Sequence, residues 1–297
     1  VGSALIQTAV DELLLRGFHY LPAQVTWRLH DRALSRIRAH GKQLAPRAVS
    51  CRGGFRLLVD PADWIGSHIA LRREFEPGLT RLVQRFLRPG GHFVDVGANI
   101  GYFSLLAACV VGNAGQVSSF EASPIITHTL MRNIFLNGMA HRVSVHEAAV
   151  WHADAELTFH QGPLENAGLS NLGDNSRATA SFKVHATTLD SALEHTERPV
   201  NFVKLDVEGA EYNALLGMNQ VITRFRPIIA LELSPAFLRR FGCISADVLD
   251  LLTKEHRYVV YCYDAKGRLC EADIRGLCVE AEQQNNLVFS PSEKRLE

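Results

Sequence analysis

The chain has 297 residues, 47% of them hydrophobic, enough to bury one sizeable core with a small appended region. Lys and Arg number 31 against 31 Asp and Glu, so no net field draws in nucleic acid, and no apolar run is long enough for an integral membrane helix. The six cysteines are scattered without the Cys-x-x-Cys spacing of a zinc site, which fits a reduced, cytoplasmic protein.

Residues 3–40 read as helical, with Leu13, Leu14, Phe18 and Leu21 before Pro22 and Trp27, Leu34 and Ile37 after it. From Arg16 to Arg56 nine basic residues face a lone Asp31. They read either as a solvated helix face or as a surface for an acidic partner, carrier protein or anionic lipid. The expected organisation is an N-terminal helical region, 1–53, ahead of one main domain, 54–297. Residues 54–59 read as a strand stopped by Asp60-Pro61, and Leu79 to Leu87 as an amphipathic helix ending at Pro89-Gly90-Gly91. Strands and helices then alternate: strand 92–96, a helix to Val111, strand 116–121, a helix from Pro124 to Asn137, strand 142–147. An irregular stretch, 151–186, carries alternating pieces at Glu156–His160 and Ala180–His185. A helix near Thr188, strand 201–206, helix 210–224 and strand 227–233 follow. Such alternation predicts a parallel sheet covered on both faces. Tyr258–Tyr263, a Lys266-Gly267 turn and a strand at Asn286–Ser290 predict an antiparallel finish.

The run His92-Phe93-Val94-Asp95-Val96-Gly97-Ala98-Asn99-Ile100-Gly101-Tyr102-Phe103 is a strand, a tight glycine turn and a helix start, where a ligand can approach backbone closely. A dinucleotide fingerprint needs glycines where this loop has Gly97, Asn99 and Tyr102, so a pyrophosphate fits poorly. S-adenosylmethionine, a nucleoside without phosphate whose ammonium Asp95 or a neighbour can receive, is the ligand this loop tolerates. Glu121 ends the second strand about 20 residues later, where a nucleoside-binding fold puts a carboxylate for the ribose hydroxyls. Gly97 and Gly101 permit the tight turn, while Asn99 either contacts the methionine end or stabilises the turn locally. Tyr102 and Phe103 border the cofactor or pack under the sheet. Asp206 and Glu208 flank Val207 at the carboxyl edge of an apolar strand, where a buried acid is costly without a partner. Lys204 is near in sequence, although alternation need not aim it the same way. Glu232, ending the next strand, points to the same edge. Of the 13 histidines, His146, His160 and His185 lie nearest predicted strand ends, and His185 is taken as a candidate base.

Four stretches together resemble the FkbM-type S-adenosylmethionine-dependent methyltransferases. They are Phe93–Tyr102, Phe120-Glu121-Ala122-Ser123-Pro124 with Leu130, Asn133 and Asn137, Thr188-Leu189-Asp190, and Val203-Lys204-Leu205-Asp206-Val207-Glu208-Gly209-Ala210-Glu211. Glu76 in Arg73-Glu74-Phe75-Glu76-Pro77 matches the acid this family places ahead of its first core helix. The likeness covers about residues 54–290 and departs at Ala122, where a proline often stands; the N-terminal part matches nothing nameable. It implies a class I methyltransferase sheet, α/β and Rossmann-like, mostly parallel with antiparallel C-terminal strands. It also implies S-adenosylmethionine as cofactor and S-adenosylhomocysteine as product. Glu76, Asp95, Gly97, Asn99, Gly101, Tyr102, Phe103, Glu121, Ala122, Ser123 and Asp206 are the expected cofactor residues, and Asp206, Glu208 and His185 the expected catalytic ones. Glu211 is expected to be a capping or surface acid.

An acid cluster beside the methyl suits a neutral hydroxyl better than an anionic oxygen, so the expected acceptor is a small molecule with a hydroxyl: a sugar, polyketide or other secondary metabolite. N-methylation and an inactive methyltransferase-like binding module are the alternatives. No second Asp and Asn stand at matching strand ends beside Asp206, so no metal is expected. A homodimer is left open. The 151–186 stretch, with Gly162-Pro163 and Gly168-Leu169-Ser170-Asn171, is the expected substrate cover.

Overall fold

The computed structural model describes residues 10–16, 18, 32–37, 39, 44–162, 172–173, 178–279 and 285–296. Two strands, β1 (Arg47–Ser50) and β2 (Arg56–Val59), form an antiparallel hairpin. Thus 47–50, inside the stretch read as helical to residue 53, is extended instead: it is fixed by pairing with β2, a contact that local periodicity does not register. Helices α1 (Trp64–Arg72) and α2 (Pro77–Phe86) follow. The first was not anticipated, although Asp63 caps it through Gly66 N–H at 2.9 Å.

The core then alternates β3 (His92–Val96), α3 (Tyr102–Val111), β4 (Gln116–Glu121), α4 (Pro124–Leu136) and β5 (Val143–Glu147). A small sheet of β6 (Ala149–Val150), β7 (Ala155–Gln161) and β8 (Ala180–Thr187) follows. Next come α5 (Leu189–Ala192), β9 (Val200–Leu205), α6 (Glu211–Leu216), α7 (Asn219–Phe225) and β10 (Ile228–Leu233). The chain closes through α8 (Pro235–Leu238), α9 (Ser245–Asp250), β11 (Tyr258–Tyr263), β12 (Leu269–Glu271), α10 (Ile274–Val279) and β13 (Asn285–Pro291). The eight-stranded sheet has the order β12-β11-β13-β10-β9-β3-β4-β5. The run from β5 to β10 is parallel, and β13 lies antiparallel between β10 and β11. This is the expected class I arrangement with its antiparallel finish.

Alternation along each strand feeds two cores. Phe93 and Phe202 join one cluster, while Val94, Val96, Val203 and Leu205 join the other on the opposite face. Leu15, Phe18, Leu34 and Ile37 belong to the first cluster, so the described N-terminal residues pack on the same core as β3. The helix expected over 210–224 is broken at Gly217, where a Cβ would sit 1.9 Å from the Trp151 carbonyl oxygen. The Thr188–Asp190 motif is structural: Thr188 caps α5, and the Asp190 carboxylate accepts from Gln220 and Val221 N–H, both at 2.9 Å, starting α7. Among the described residues no helix is long and apolar enough to cross a membrane.

Candidate active site

The parallel strands β3, β4, β9 and β10 all end at one edge, the place where open α/β sheets hold ligands. There the structure opens a cavity of about 420 Å³, within the usual range for small-molecule sites. Its floor is the loop after β3. Gly97 has φ +76°, and a Cβ on it would lie 1.9 Å from the Asp206 carbonyl oxygen, so the loops after β3 and β9 touch only because this residue is glycine. Asn99 turns at φ +50° and its side chain accepts from Ile100 N–H at 2.7 Å, while its own N–H donates to Glu121 Oε2 at 2.9 Å.

Glu121 is buried at the end of β4. Its other oxygen accepts from Ser123 N–H at 2.9 Å. Burial raises its pKa, and these two backbone donors work against that rise. With one fixed donor on each oxygen, each oxygen keeps a lone pair free for one hydroxyl of a vicinal diol.

Opposite stands a group of carboxyls around one ammonium. Lys204 is buried, donates to Gly97 O at 2.9 Å, and lies 3.2 Å from Asp206 Oδ2 and 3.5 Å from Asp95 Oδ1. Burial alone would lower its pKa, yet Asp206, Asp95 and Glu76 hold it above the ordinary lysine range. Glu76, Asp206, Glu208 and Glu232 all face the cavity. Burial first, then Asp206, pushes Glu76 up to about 7, Glu232 to about 8 and Glu208 to about 9; Glu76 also acts on Glu232, and Glu232 on Glu208. Glu211, pushed up to about 7 mainly by burial, accepts from Val207 and Gly209 N–H, both at 3.2 Å, and so fastens the loop that carries Glu208. It is a buried clasp rather than a surface acid. Three non-glycine residues of this wall hold positive φ: Glu76 at +37°, Asn99 at +50° and Glu208 at +53°. Each such residue stores strain of about 1–3 kcal/mol, which collects at functional sites.

Of the residues singled out from sequence, Glu76, Gly97, Asn99, Tyr102, Phe103, Glu121, Ala122, Asp206, Glu208 and Glu232 line the cavity. Four do not. Asp95 lies behind Lys204, its Oδ2 accepting from Ser104 Oγ at 2.6 Å, so it is placed to hold Lys204 and not a ligand's ammonium. Gly101 backs onto Leu130, whose Cδ1 a Cβ would meet at 2.5 Å. Ser123 caps α4 and donates to Gln161 Oε1 at 2.8 Å. His185 is exposed on β8 between the buried Val184 and Ala186, so the strand's alternation turns it away from the cavity. His160 pairs with Ser181 Oγ at 2.8 Å, and His146 stacks on Phe120 with centroids 4.4 Å apart; neither lines the cavity.

Trp64, Phe159, Phe237 and Asn286 also line the wall without having been singled out, as does Lys204, which was noted only as near the acids in sequence. Lys204 stood inside a recognised motif; Phe237 arrives through a close approach to Gly209, where a Cβ would lie 2.5 Å from the Phe237 carbonyl oxygen. Of the expected substrate cover, Phe159 and Leu172 reach the cavity, and 163–171 lies outside the described residues.

A family model of the methyltransferase FkbM domain matches residues 95–260, from the buried Asp95 through both cavity-lining loops to β11. The chain belongs to the FkbM methyltransferase family. That family is one of methyltransferases, and S-adenosylmethionine is the cofactor it implies for this cavity. The chain is also 30% identical over 109 residues to a ribosomal protein L11 methyltransferase of Pelotomaculum thermopropionicum, an overlap of 32% of this chain and 35% of that one. The chain thus spans about a third of the length of that curated relative. Among solved structures it is similar to an FkbM methyltransferase from Methylobacillus flagellatus KT, with 18% identity, TM-score 0.42, 75% of this chain and 52% of that one covered. It is likewise similar to Aeropyrum pernix fibrillarin with bound S-adenosyl-L-methionine, with 7% identity, TM-score 0.40 and 72% of each chain covered. The FkbM cavity fits its cofactor on its own chemistry: a carboxylate with two open acceptor positions suits a ribose, and an acid-rich wall suits a sulfonium and an ammonium.

Proposed function

We propose that this methyltransferase transfers its methyl to a neutral hydroxyl of a small molecule, a sugar, polyketide or similar secondary metabolite. The observation that carries the reading is the gathering of Glu76, Asp206, Glu208 and Glu232 on one cavity wall, with ionisation pushed toward or above neutrality for Glu76, Glu232 and Glu208. Such a wall, as it ionises, repels an anionic acceptor oxygen. An alcohol must lose its proton as its oxygen attacks, and a base titrating near the working pH serves best.

S-adenosylmethionine supplies the electrophilic methyl on a sulfonium. In this reading Glu121 takes the ribose hydroxyls, and Gly97, Asn99 and Ala122 shape the floor beneath them. Asp206 and Glu76 receive the ammonium. Tyr102 and Phe103 support the loop: Tyr102 OH meets Thr80 Oγ1 at 3.2 Å, and Lys204 lies over the Phe103 ring, 5.6 Å from its centroid. Lys204 holds the loops after β3 and β9 together. Glu208 takes the acceptor proton, with Glu232 beside it, and Trp64 and Phe237 offer apolar surface to the acceptor's body. Holding the acceptor in line with the methyl contributes the larger share, roughly 7–11 kcal/mol, and the base adds about 10²–10⁴-fold.

The test is transfer of labelled methyl to a panel of hydroxyl, amine and carboxylate acceptors. Label in hydroxyl compounds, lost in Glu208→Gln, is the expected result. Label confined to amines, or full activity in the variant, would contradict it.

A further inference from the structure

Helix α4 is apolar on both faces. Ile126, Leu130 and Ile134 are buried against the sheet, as expected for a helix covering β4 and β5. The outer face carries Ile125, Met131, Phe135 and Leu136, which are 58, 42, 70 and 39% exposed, half of the exposed large hydrophobics among the described residues. At 3.6 residues per turn these four fall on one arc of about 140°, interleaved with the exposed His128 and Arg132. A surface helix ordinarily presents charge of both signs there. Here no Asp or Glu occurs from residue 122 to 146 or from 44 to 59. The two stretches adjoin: the Asn137 side chain accepts from Arg56 N–H at 2.8 Å and donates to Arg56 O at 2.7 Å, which seats the β1–β2 hairpin beside the end of α4. Exposed Arg52, Arg56 and Arg132 make no ion pair among the described residues.

We infer that this face of α4, rimmed by the hairpin arginines, docks the protein on an anionic membrane surface. Charge complementarity selects the occupant: cations without acids lie among apolar side chains, the pattern of a helix lying in the headgroup layer. The face is the outer side of a single covering helix, and a helical peptide partner would require a groove between elements. The same helix turns Ile126 into the cavity wall, so a docked surface lies about one helix diameter, ~10 Å, from that wall. This inference is independent of the acceptor proposed above.

The test is co-sedimentation of the full chain with vesicles of phosphatidylcholine alone and of phosphatidylcholine mixed with phosphatidylglycerol. Binding to the mixed vesicles only, weakening as salt rises, is expected. The double variant Ile125→Ser/Phe135→Ser and, separately, Arg132→Glu should each lower the bound fraction roughly tenfold while S-adenosylmethionine binding, which reports an intact fold, stays unchanged. Equal recovery on both vesicle types, no recovery on either, or undiminished binding by the variants would overturn the inference. So would a wild-type dimer that the double variant converts to monomer without any vesicle binding, which would give the face to a second copy of the chain.

Discussion

Glu208 holds a left-handed backbone, φ +53°, in a loop whose N–H groups Glu211 clasps, so the fold fixes the backbone from which its carboxyl reaches the cavity. Replacing it by glutamine keeps size and shape and removes the base. Turnover should fall by about 10²-fold or more while S-adenosylmethionine affinity changes little, as steady-state kinetics and calorimetry would report. Because burial and its acidic neighbours push Glu208 to about 9, only its deprotonated form accepts a proton, and wild-type turnover should climb as pH rises through 7 to 9. A flat profile in the wild type would remove Glu208 from the reaction. Glu121 works differently. Glu121→Ala should weaken cofactor binding by about tenfold or more, since two charge-assisted hydrogen bonds are lost, and leave acceptor affinity in place.

At the scale of elements, the site depends on two loops pressed together. Gly97→Ala would add a methyl 1.9 Å from the Asp206 carbonyl oxygen at a backbone angle of φ +76°; we expect a loss of about 2–4 kcal/mol in denaturant unfolding, with cofactor binding abolished. Lys204→Met leaves Asp95 buried without its cation and should cost about 3 kcal/mol. The core strands were legible because alternation and glycine punctuation are local: β3, β4 and β11 begin and end at the residues expected. The loops after β3 and β9 and the end of β4 were legible for the same reason, since Gly97, Glu121, Asp206 and Glu208 stand at or just after the ends of apolar strands. What was not legible depends on contacts distant in sequence. Trp64 reaches the cavity from a helix outside every motif, and Lys204 turns toward Gly97 and Asp206 through a strand-end geometry that alternation does not specify. His185 failed as a candidate base for the converse reason: its place near a strand end was right, but the register of β7 against β8 turns it outward.

For the molecule as a whole, the cavity makes stability depend on pH. Glu76, Glu232 and Glu208 titrate higher in the folded protein, at about 7, 8 and 9, than unfolded, so the native state binds more protons between those limits. Their contribution is complete below the ordinary carboxylate range and is lost as pH rises through 7 to 9. The buried His92, lowered to about 4, acts in the opposite sense, removing stability as pH falls from 6.5 toward 4. Because three carboxyls outweigh one imidazole, the ligand-free protein should be most stable near pH 5 and melt at lower temperature at pH 9, by thermal scans in matched buffers. A melting temperature that rises from pH 7 to 9 would contradict the charge assignment. The same wall must discriminate ligands that differ only by the sulfonium methyl and its charge. Calorimetric titration with S-adenosylmethionine and S-adenosylhomocysteine across pH 6–9, with NAD as control, tests this most directly. The account predicts that both sulfur ligands bind and NAD does not, and that S-adenosylmethionine gains on S-adenosylhomocysteine, with proton release, as the carboxyls ionise. Equal, pH-independent affinities, or no binding of S-adenosylmethionine, would contradict it.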